Sequence, residues 1–342
     1  MNAPVRRVLI VKLSSLGDVV HAMPAVQDLR GALPGVQIDW VVERAFAPLV
    51  SRCAGVGKVI ACDLRRWRKS PLSAQTRGEW RTFRTELQAQ AYDAVIDLQG
   101  LTKSALVSWL ARTSAQGQRI GLANQTEGSG FEAPARWVAD QAITLEPHVH
   151  AVDRARLLCA KALGYAVPPT LRFGLVPGAL AVAPRPLAPT NPFAPRKPVV
   201  ALVHGTSRAD KQWPVAHWVE LGKRLNHSGF EVALAHGNAA EKATSEAIAG
   251  QLVDAWVWPT MALDALTDTM ARCAGVVGVD SGLSHIAVAL GLPHVQIYNF
   301  DTAWRTGPQG HARQVSVVGS PCPDVDAVWQ AWERLDTPVL CR

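Results

Sequence analysis

No run in the 342-residue sequence approaches the roughly 18 uninterrupted apolar residues that a membrane-spanning helix needs. No signal-peptide h-region or cleavage site stands at the start, because Met1-Asn-Ala-Pro-Val-Arg-Arg7 leads directly into the first apolar run. A protein made and kept in the cytoplasm is therefore expected. Cysteine is sparse and scattered. Cys53, Cys62, Cys159, Cys273, Cys322 and Cys341 form no C-x-x-C pair and no Cys/His cluster at zinc spacing, so reduced and mostly buried thiols are expected. Two common nucleotide fingerprints are also missing. There is no G-x-G-x-x-G after a first strand and no G-x-x-x-x-G-K-[ST] anywhere, which counts against a dinucleotide dehydrogenase and a P-loop NTPase.

What is present describes a folded globular chain: 48% hydrophobic and 18% charged residues, with length enough for two domains. A formal charge of +7 favours an anionic partner, whether nucleic acid, a membrane surface or a phosphorylated substrate.

Short apolar runs alternate with amphipathic segments, the pattern of a parallel sheet covered by helices. In the first half, strands are expected over 8–11, 38–42, 59–62, 94–98 and 119–122. Helices are expected over 19–33, 80–89, 103–111 and 151–163, the last with Gly164 as its C-cap. Residues 176–198 then hold seven prolines in 23 positions and read as a semi-rigid linker. Alternation restarts with strands over 199–203, 231–235, 256–258, 276–279 and 295–298. Helices lie between them over 215–226, 239–252, 263–274 and 283–290, and a last one covers 325–335. Two Rossmann-like α/β domains would place a ligand cleft at the carboxyl ends of their strands.

Two motifs lie at such strand ends. Lys12-Leu-Ser-Ser-Leu-Gly-Asp18 follows the first strand, where a glycine-rich phosphate turn would ordinarily sit. Asp18 there is either a helix cap or a general base. Its charge would repel a phosphate, so a nucleotide is expected on the other domain. There, Val276-Val-Gly-Val-Asp280 runs into Ser281-Gly-Leu-Ser-His285 at the start of a helix. Backbone N–H groups, hydroxyls and the positive end of a helix dipole suit a diphosphate. Capping alone accounts for one of these residues more easily than for the whole D-S-G-x-S-H cluster. His204-Gly-Thr-Ser-Arg-Ala-Asp-Lys211 adds small hydroxyls and a lysine at the end of the second domain's first strand, a second anion contact.

A basic belt, Arg65-Arg-Trp-Arg-Lys69 with Arg77, Arg81 and Arg84, faces only Glu79 between Leu64 and Arg84. Trp67 and Trp80 interleave with it as they would in a nucleic-acid site, yet no recognised nucleic-acid module surrounds them. An anionic acceptor at a membrane surface fits the same charge. Tyr92–Lys103 reads as a strand that brings Gln99, Gly100 and Lys103 to the same edge as Ser14 and Asp18.

Taken together, VLIVKLSSLGDVVHAMPAV, DWVVE, RRWRK, YDAVIDLQGLTKSA, HGTSRADKQWP and VGVDSGLSHIAVALGLP resemble the ADP-heptose:lipopolysaccharide heptosyltransferases of glycosyltransferase family 9. The likeness covers nearly the whole chain. It implies a GT-B fold with two Rossmann-like domains facing a central cleft. Residues 1–175 would bind the acceptor, 176–198 would be the linker, 199–322 would bind ADP-heptose, and a C-terminal helix in 323–342 would pack back on the first domain. Asp18 falls on the family's catalytic base, which would deprotonate a Kdo hydroxyl of Kdo-lipid A as ADP leaves with inversion.

By the same resemblance, Thr206, Ser207, Lys211, Asp280, Ser281, Gly282 and His285 fall on donor-binding positions. Glu241 falls on a ribose-binding acid and Met261 near adenine. Ser14, Ser15, Gly17, Arg65, Arg66, Arg68, Lys69 and Lys103 fall on the acceptor side. The resemblance implies neither metal nor other cofactor, an acceptor met at the cytoplasmic face of the inner membrane, and no nucleic acid. Paralogues that add heptose to heptose, sugar-nucleotide epimerases and a non-catalytic glycan-binding module are the competing readings. The chain departs from the family pattern at Asn299–Gly307, near the expected donor, and over 124–140, near the expected acceptor.

Overall fold

The computed structural model describes residues 5–178 and 197–335. Most of the proline-rich segment 176–198, and Cys341, lie outside the described residues. The chain divides into two compact units, Met1–Val176 and Pro177–Arg342.

The first unit is built on β1 (Arg7–Val11), β2 (Gln37–Glu43), β3 (Val56–Cys62), β4 (Tyr92–Asp97), β5 (Thr113–Leu122) and β6 (Gln141–Ile143), in the order β3-β2-β1-β4-β5-β6. Every pairing is parallel. Val8 to Val11 are fully buried, as a strand covered on both faces must be, which is why β1 shows no apolar–polar alternation. The longer helices are α1 (Leu16–Ala32), α2 (Ala74–Gln88), α3 (Thr102–Leu110), α4 (Ala133–Val138) and α5 (Ala151–Leu163). The strand order reverses between β3 and β4. Right-handed crossovers therefore put α2, α3 and α4 on one face of the sheet and α1 on the other. Accordingly α2 packs beside α3, α3 beside α4, and α5 against α1.

A buried ion pair locks α5 to α1. Arg156 donates to both carboxylate oxygens of Asp28 at 2.7 and 3.2 Å, and also to the carbonyls of Pro168 and Thr170. As expected, α5 ends at Gly164, whose φ of 72° is open to glycine at low cost.

The second unit repeats the plan. Strands β7 (Val199–Val203), β8 (Glu231–Leu234), β9 (Ala255–Val257), β10 (Gly275–Val279), β11 (His294–Tyr298) and β12 (Gln314–Val318) run in the order β12-β11-β10-β7-β8-β9. Counted from its own first strand, this is the order of the first sheet. Its helices are α6 (Val215–His227), α7 (Ala239–Ala249), α8 (Leu263–Met270), α9 (Gly282–Ala289) and α10 (Val325–Glu333).

The α/β expectation holds, with differences of detail. Strands β6 and β12 and helix α4 were not foreseen, α2 begins six residues before the expected 80, and β5 begins six residues earlier than the apolar run at 119–122 suggests. Its first half, Thr113-Ser-Ala-Gln-Gly-Gln118, is polar and largely exposed, so it carries no burial signal. The last helix lies where it is expected, as α10 (Val325–Glu333). Val328 and Trp332 of α10 are buried in the second unit's own core, Trp332 lies edge-on to Phe230 at 5.8 Å, and Trp213 donates to the Pro323 carbonyl at 2.9 Å. These residues of α10 thus belong to the second unit's core. Among the described cysteines, Cys53, Cys62, Cys159 and Cys273 are buried and all five are free thiols, as expected. Burial pushes the thiols of Cys53 and Cys62 up to about 12.

Candidate active site

In each unit most candidate residues lie where the first and fourth strands of the sheet end side by side, the point at which strand order reverses, while Arg65 to Lys69 follow β3 and Glu241 and Met261 follow β8 and β9. In the first unit the exits of β1 and β4 are bonded to each other. Gln99 Oε1 accepts from the N–H groups of Leu13 and Ser14 at 3.2 and 3.1 Å. Lys12 Nζ donates to the Leu98 carbonyl at 3.1 Å, and Lys103 Nζ donates to Ser14 Oγ at 2.7 Å. Asp97, buried at the end of β4, accepts from the N–H groups of Gln99 and Gly100 and from Ser104 Oγ at 2.8–3.0 Å. This frame holds the turn after β4 in shape without a ligand.

Asp18 is the third residue of α1 and Ser15 is the helix cap. Of the two sequence readings, simple capping therefore belongs to Ser15. One oxygen of Asp18, Oδ2, accepts from Ser15 N–H at 3.1 Å and Ser15 Oγ at 2.9 Å, an arrangement of the capping-box kind. The other, Oδ1, faces Lys12 Nζ at 3.7 Å and Arg154 at 3.6 Å. Burial alone would raise the Asp18 pKa. The charges of Lys12, Arg154 and His21, with the Ser15 N–H, outweigh it and hold the carboxyl well below the usual carboxylate range. Lys12 in turn has its pKa lowered, chiefly by burial. Gly17 sits half-buried in the first turn of α1, and Ser14 is buried beneath Lys103.

Glu43 was quoted in the DWVVE motif without a role. It ends β2 with its N–H on the Leu13 carbonyl at 3.1 Å, and its buried Oε1 has no hydrogen-bond partner. Burial raises its pKa against the pull of Lys103 and Arg65. Lys103 has its own pKa lowered by burial and by Arg65.

The basic belt divides. Arg65, Arg68 and Lys69 are exposed around a short helix at Leu64–Trp67. Arg66 is held by Asp63 at 2.6 Å and by Glu79, so its charge is already matched within the unit. Trp67 is buried, donates to Glu79 at 2.7 Å, and packs edge-on to Trp80 at 5.6 Å in the first unit's core. Those two rings are therefore not free to stack on bases.

In the second unit the exits of β7 and β10 meet in the same way. Asp280 is buried at the end of β10 and both its oxygens are engaged. Lys211 Nζ lies 2.5 Å from Oδ2, while His285 Nε2 and Thr306 Oγ1 lie 3.3 and 3.4 Å from Oδ1. Burial works to raise its pKa, but His285 and Lys211 prevail and hold it well below the ordinary range. Thr206 Oγ1 donates to the Asp280 carbonyl at 3.3 Å, and Ser207 is exposed beside it. Ser281 caps α9, Gly282 begins it, and the buried Ser281 Oγ has no hydrogen-bond partner. Glu241 accepts from Gly237 N–H at 2.6 Å, and its carboxyl group lies close over Gly205, where a Cβ would stand 2.9 Å from the carboxyl carbon. Met261 is half-buried and accepts from Thr269 Oγ1 at 3.8 Å.

The divergent loop at 299–307 belongs to this cluster. Asn299 donates to the carbonyls of Asp210 and Gln212 at 2.9 and 2.8 Å, which clamps the loop that carries Lys211, and Thr306 joins Asp280. Among the described residues no group of three His, Cys, Asp or Glu could hold a metal ion. Among the described residues, no helix is long and apolar enough to cross a membrane. Lys12, Glu43, Arg154 and Thr306 are the site neighbours that sequence reasoning missed. Arg154 lies 136 positions from Asp18, and only the packing of α5 against α1 brings it there.

Residues 80–327 match glycosyltransferase family 9 (heptosyltransferase), and the chain belongs to that family. It is 41% identical over 293 residues to lipopolysaccharide heptosyltransferase 1 of Escherichia coli K12, covering 85% of this chain and 87% of that protein. Identity to lipopolysaccharide heptosyltransferase 2 of the same strain is 27%, over 90% of this chain and 87% of that one. The fold is similar to that of E. coli heptosyltransferase WaaC solved with ADP, with a TM-score of 0.81 and 34% identity over 96% of this chain and 99% of that one.

Proposed function

We propose that this enzyme transfers L-glycero-D-manno-heptose from ADP-heptose to a Kdo residue of Kdo-lipid A, the first heptose addition of the lipopolysaccharide inner core, with inversion. The observation that carries the reading is the margin in identity: 41% to the first heptosyltransferase against 27% to the second in one organism. The basic residues Arg65, Arg68 and Lys69 at the exposed edge of the first unit support an acceptor of high negative charge.

In this reading Asp18 takes the proton from the acceptor hydroxyl. Its depressed pKa makes it a weak base that is always ionised. That suffices, because a hydroxyl becomes strongly acidic as it bonds to a carbon carrying oxocarbenium character. Ser14, Ser15, Gly17 and Lys103 shape the acceptor's approach, with Arg65, Arg68 and Lys69 on its charged groups. Arg66 acts indirectly, by fixing Glu79 and Trp67.

The leaving diphosphate is met by Lys211, Thr206, Ser207 and the start of α9. There the unpartnered Ser281 Oγ and the N–H of Gly282 are ready to donate. Asp280 orients Lys211 and His285, Glu241 holds ribose hydroxyls and Met261 lies against adenine. No metal or other cofactor is required. The acceptor's acyl chains place the work at the cytoplasmic face of the inner membrane, with the enzyme bound peripherally.

The test is to offer ADP-heptose with Kdo-lipid A and, separately, with heptosylated core, and to weigh the products. One heptose added to Kdo-lipid A and none to the core is expected. Addition to the core alone would reassign the chain to a paralogue, and no transfer to either would overturn the reading.

A further inference from the structure

Among the described residues, exposed large apolar side chains are few. Apart from four valines they are Leu72, Leu106, Trp109 and Trp137. They are 82%, 41%, 62% and 78% exposed, and all four belong to the crossovers that carry α2, α3 and α4 on a single face of the first sheet. Leu72 stands in the loop that enters α2, Leu106 and Trp109 are one turn apart on α3, and Trp137 is on α4. Four such residues on one face are not the scatter expected of an ordinary surface.

On the same face, α2 presents exposed charge of one sign. Arg77, Arg81 and Arg84 follow i, i+4, i+7 spacing along α2 and are all exposed. The other exposed residues of that helix are neutral, and its two acids are half-buried. One of them, Glu79, is occupied by Arg66, Trp67 and Gln75. The exposed acids between β5 and β6 each have a partner within the unit: Glu127 has His148 at 3.0 Å, Glu132 accepts from Thr102 N–H at 2.7 Å and Asp140 from Arg119 N–H at 2.8 Å. Tryptophans on one side of an arginine row match a bilayer interface, where indole rings sit at headgroup level and guanidinium groups meet lipid phosphates.

We infer that this face, formed by α2, α3 and α4, docks the enzyme on an anionic bilayer. Trp109, Trp137 and Leu72 enter the interfacial zone, and Arg77, Arg81 and Arg84 contact lipid phosphates. The inference rests on the proposed function only in that a membrane-borne acceptor gives such a face its use. None of these residues belongs to the candidate active site.

The test is cosedimentation of the full chain with vesicles of phosphatidylethanolamine containing a minority of phosphatidylglycerol, compared with vesicles of phosphatidylcholine alone. Turnover of a deacylated Kdo acceptor is measured in parallel. The wild type is expected to bind the anionic vesicles and to bind the neutral ones far less. Trp109→Ser with Trp137→Ser, and separately Arg77→Gln with Arg81→Gln and Arg84→Gln, should each lower partitioning by about tenfold or more, with turnover of the deacylated acceptor unchanged.

No binding by the wild type, equal binding to neutral vesicles, or variants that partition like the wild type would overturn the inference. Variants that also lose the deacylated acceptor would overturn it too, because the face would then belong to substrate binding or to the fold. A wild type that binds vesicles through this face but transfers no heptose would sink the functional reading and leave the surface standing.

Discussion

Arg154 stands 3.6 Å from Oδ1 of Asp18, and its other terminal nitrogen donates to Thr126 Oγ1 at 3.2 Å. Thr126 is almost fully buried and lies in the segment 124–140, where the sequence departs from its family. This divergent segment is thus bonded to one of the cations that hold Asp18 ionised. Four predictions follow from this arrangement and its counterparts elsewhere in the chain.

Asp18→Ala should leave the affinity for ADP-heptose within about twofold and lower kcat by about 100-fold to 10,000-fold, the usual range for losing a general base. Calorimetry reads the first and a product assay the second. Normal turnover by this variant would remove Asp18 from the base role.

Arg154→Met should move the acid limb of the kcat/KM profile to higher pH. In the wild type the carboxyl lies below its ordinary range because Lys12, Arg154 and His21 outweigh burial. Its ionised form therefore persists as pH falls through the usual carboxylate range. Removing one cation while burial remains raises the pKa, so activity disappears at a higher pH than before. Arg154→Lys restores a charge and should return part of the shift. A limb that stays in place in the Met variant would show that Asp18 does not govern it.

Lys211→Ala should raise the donor KM by roughly 10-fold to 100-fold, the worth of a charge-assisted hydrogen bond of about 1.5–3 kcal/mol. The acceptor KM should change little. An unchanged donor KM would take Lys211 out of the site.

Asp28→Ala should destabilise the first unit by about 3–5 kcal/mol, because it strands a buried guanidinium. Thermal unfolding reads the loss. Asp28→Leu combined with Arg156→Met removes both charges and should recover much of it. Equal losses in the single and double variants would mean that packing rather than charge is at stake.

The fold was legible wherever burial on both faces writes an uninterrupted apolar run, as in β1 and β7. It was not legible in β6 or in the polar first half of β5, which are held by neighbouring strands and not by their own composition. In the site, Asp18 and the Asp280–His285 turn could be read because each lies in a contiguous motif at a strand end. Lys12 was visible in that motif too, but nothing local shows that its amine turns back to the Leu98 carbonyl and to Asp18. Arg154 and Thr306 reach their partners through tertiary packing and left no local trace. Arg66 is the reverse case. A run of five residues with four cations looks uniform in one dimension, yet Asp63 and Glu79 together hold one of them.

The two sheets share one strand order, and each sets its reactive side chains at the ends of its first and fourth strands. Every group assigned to the acceptor therefore belongs to Met1–Val176, and every group assigned to the nucleotide sugar to Pro177–Arg342. On the proposed assignment, substitutions that retune one specificity fall in one half of the chain, and each half can diverge on its own schedule. A lineage can in this way keep its sugar donor while changing the glycan it extends, or keep the glycan and change the donor.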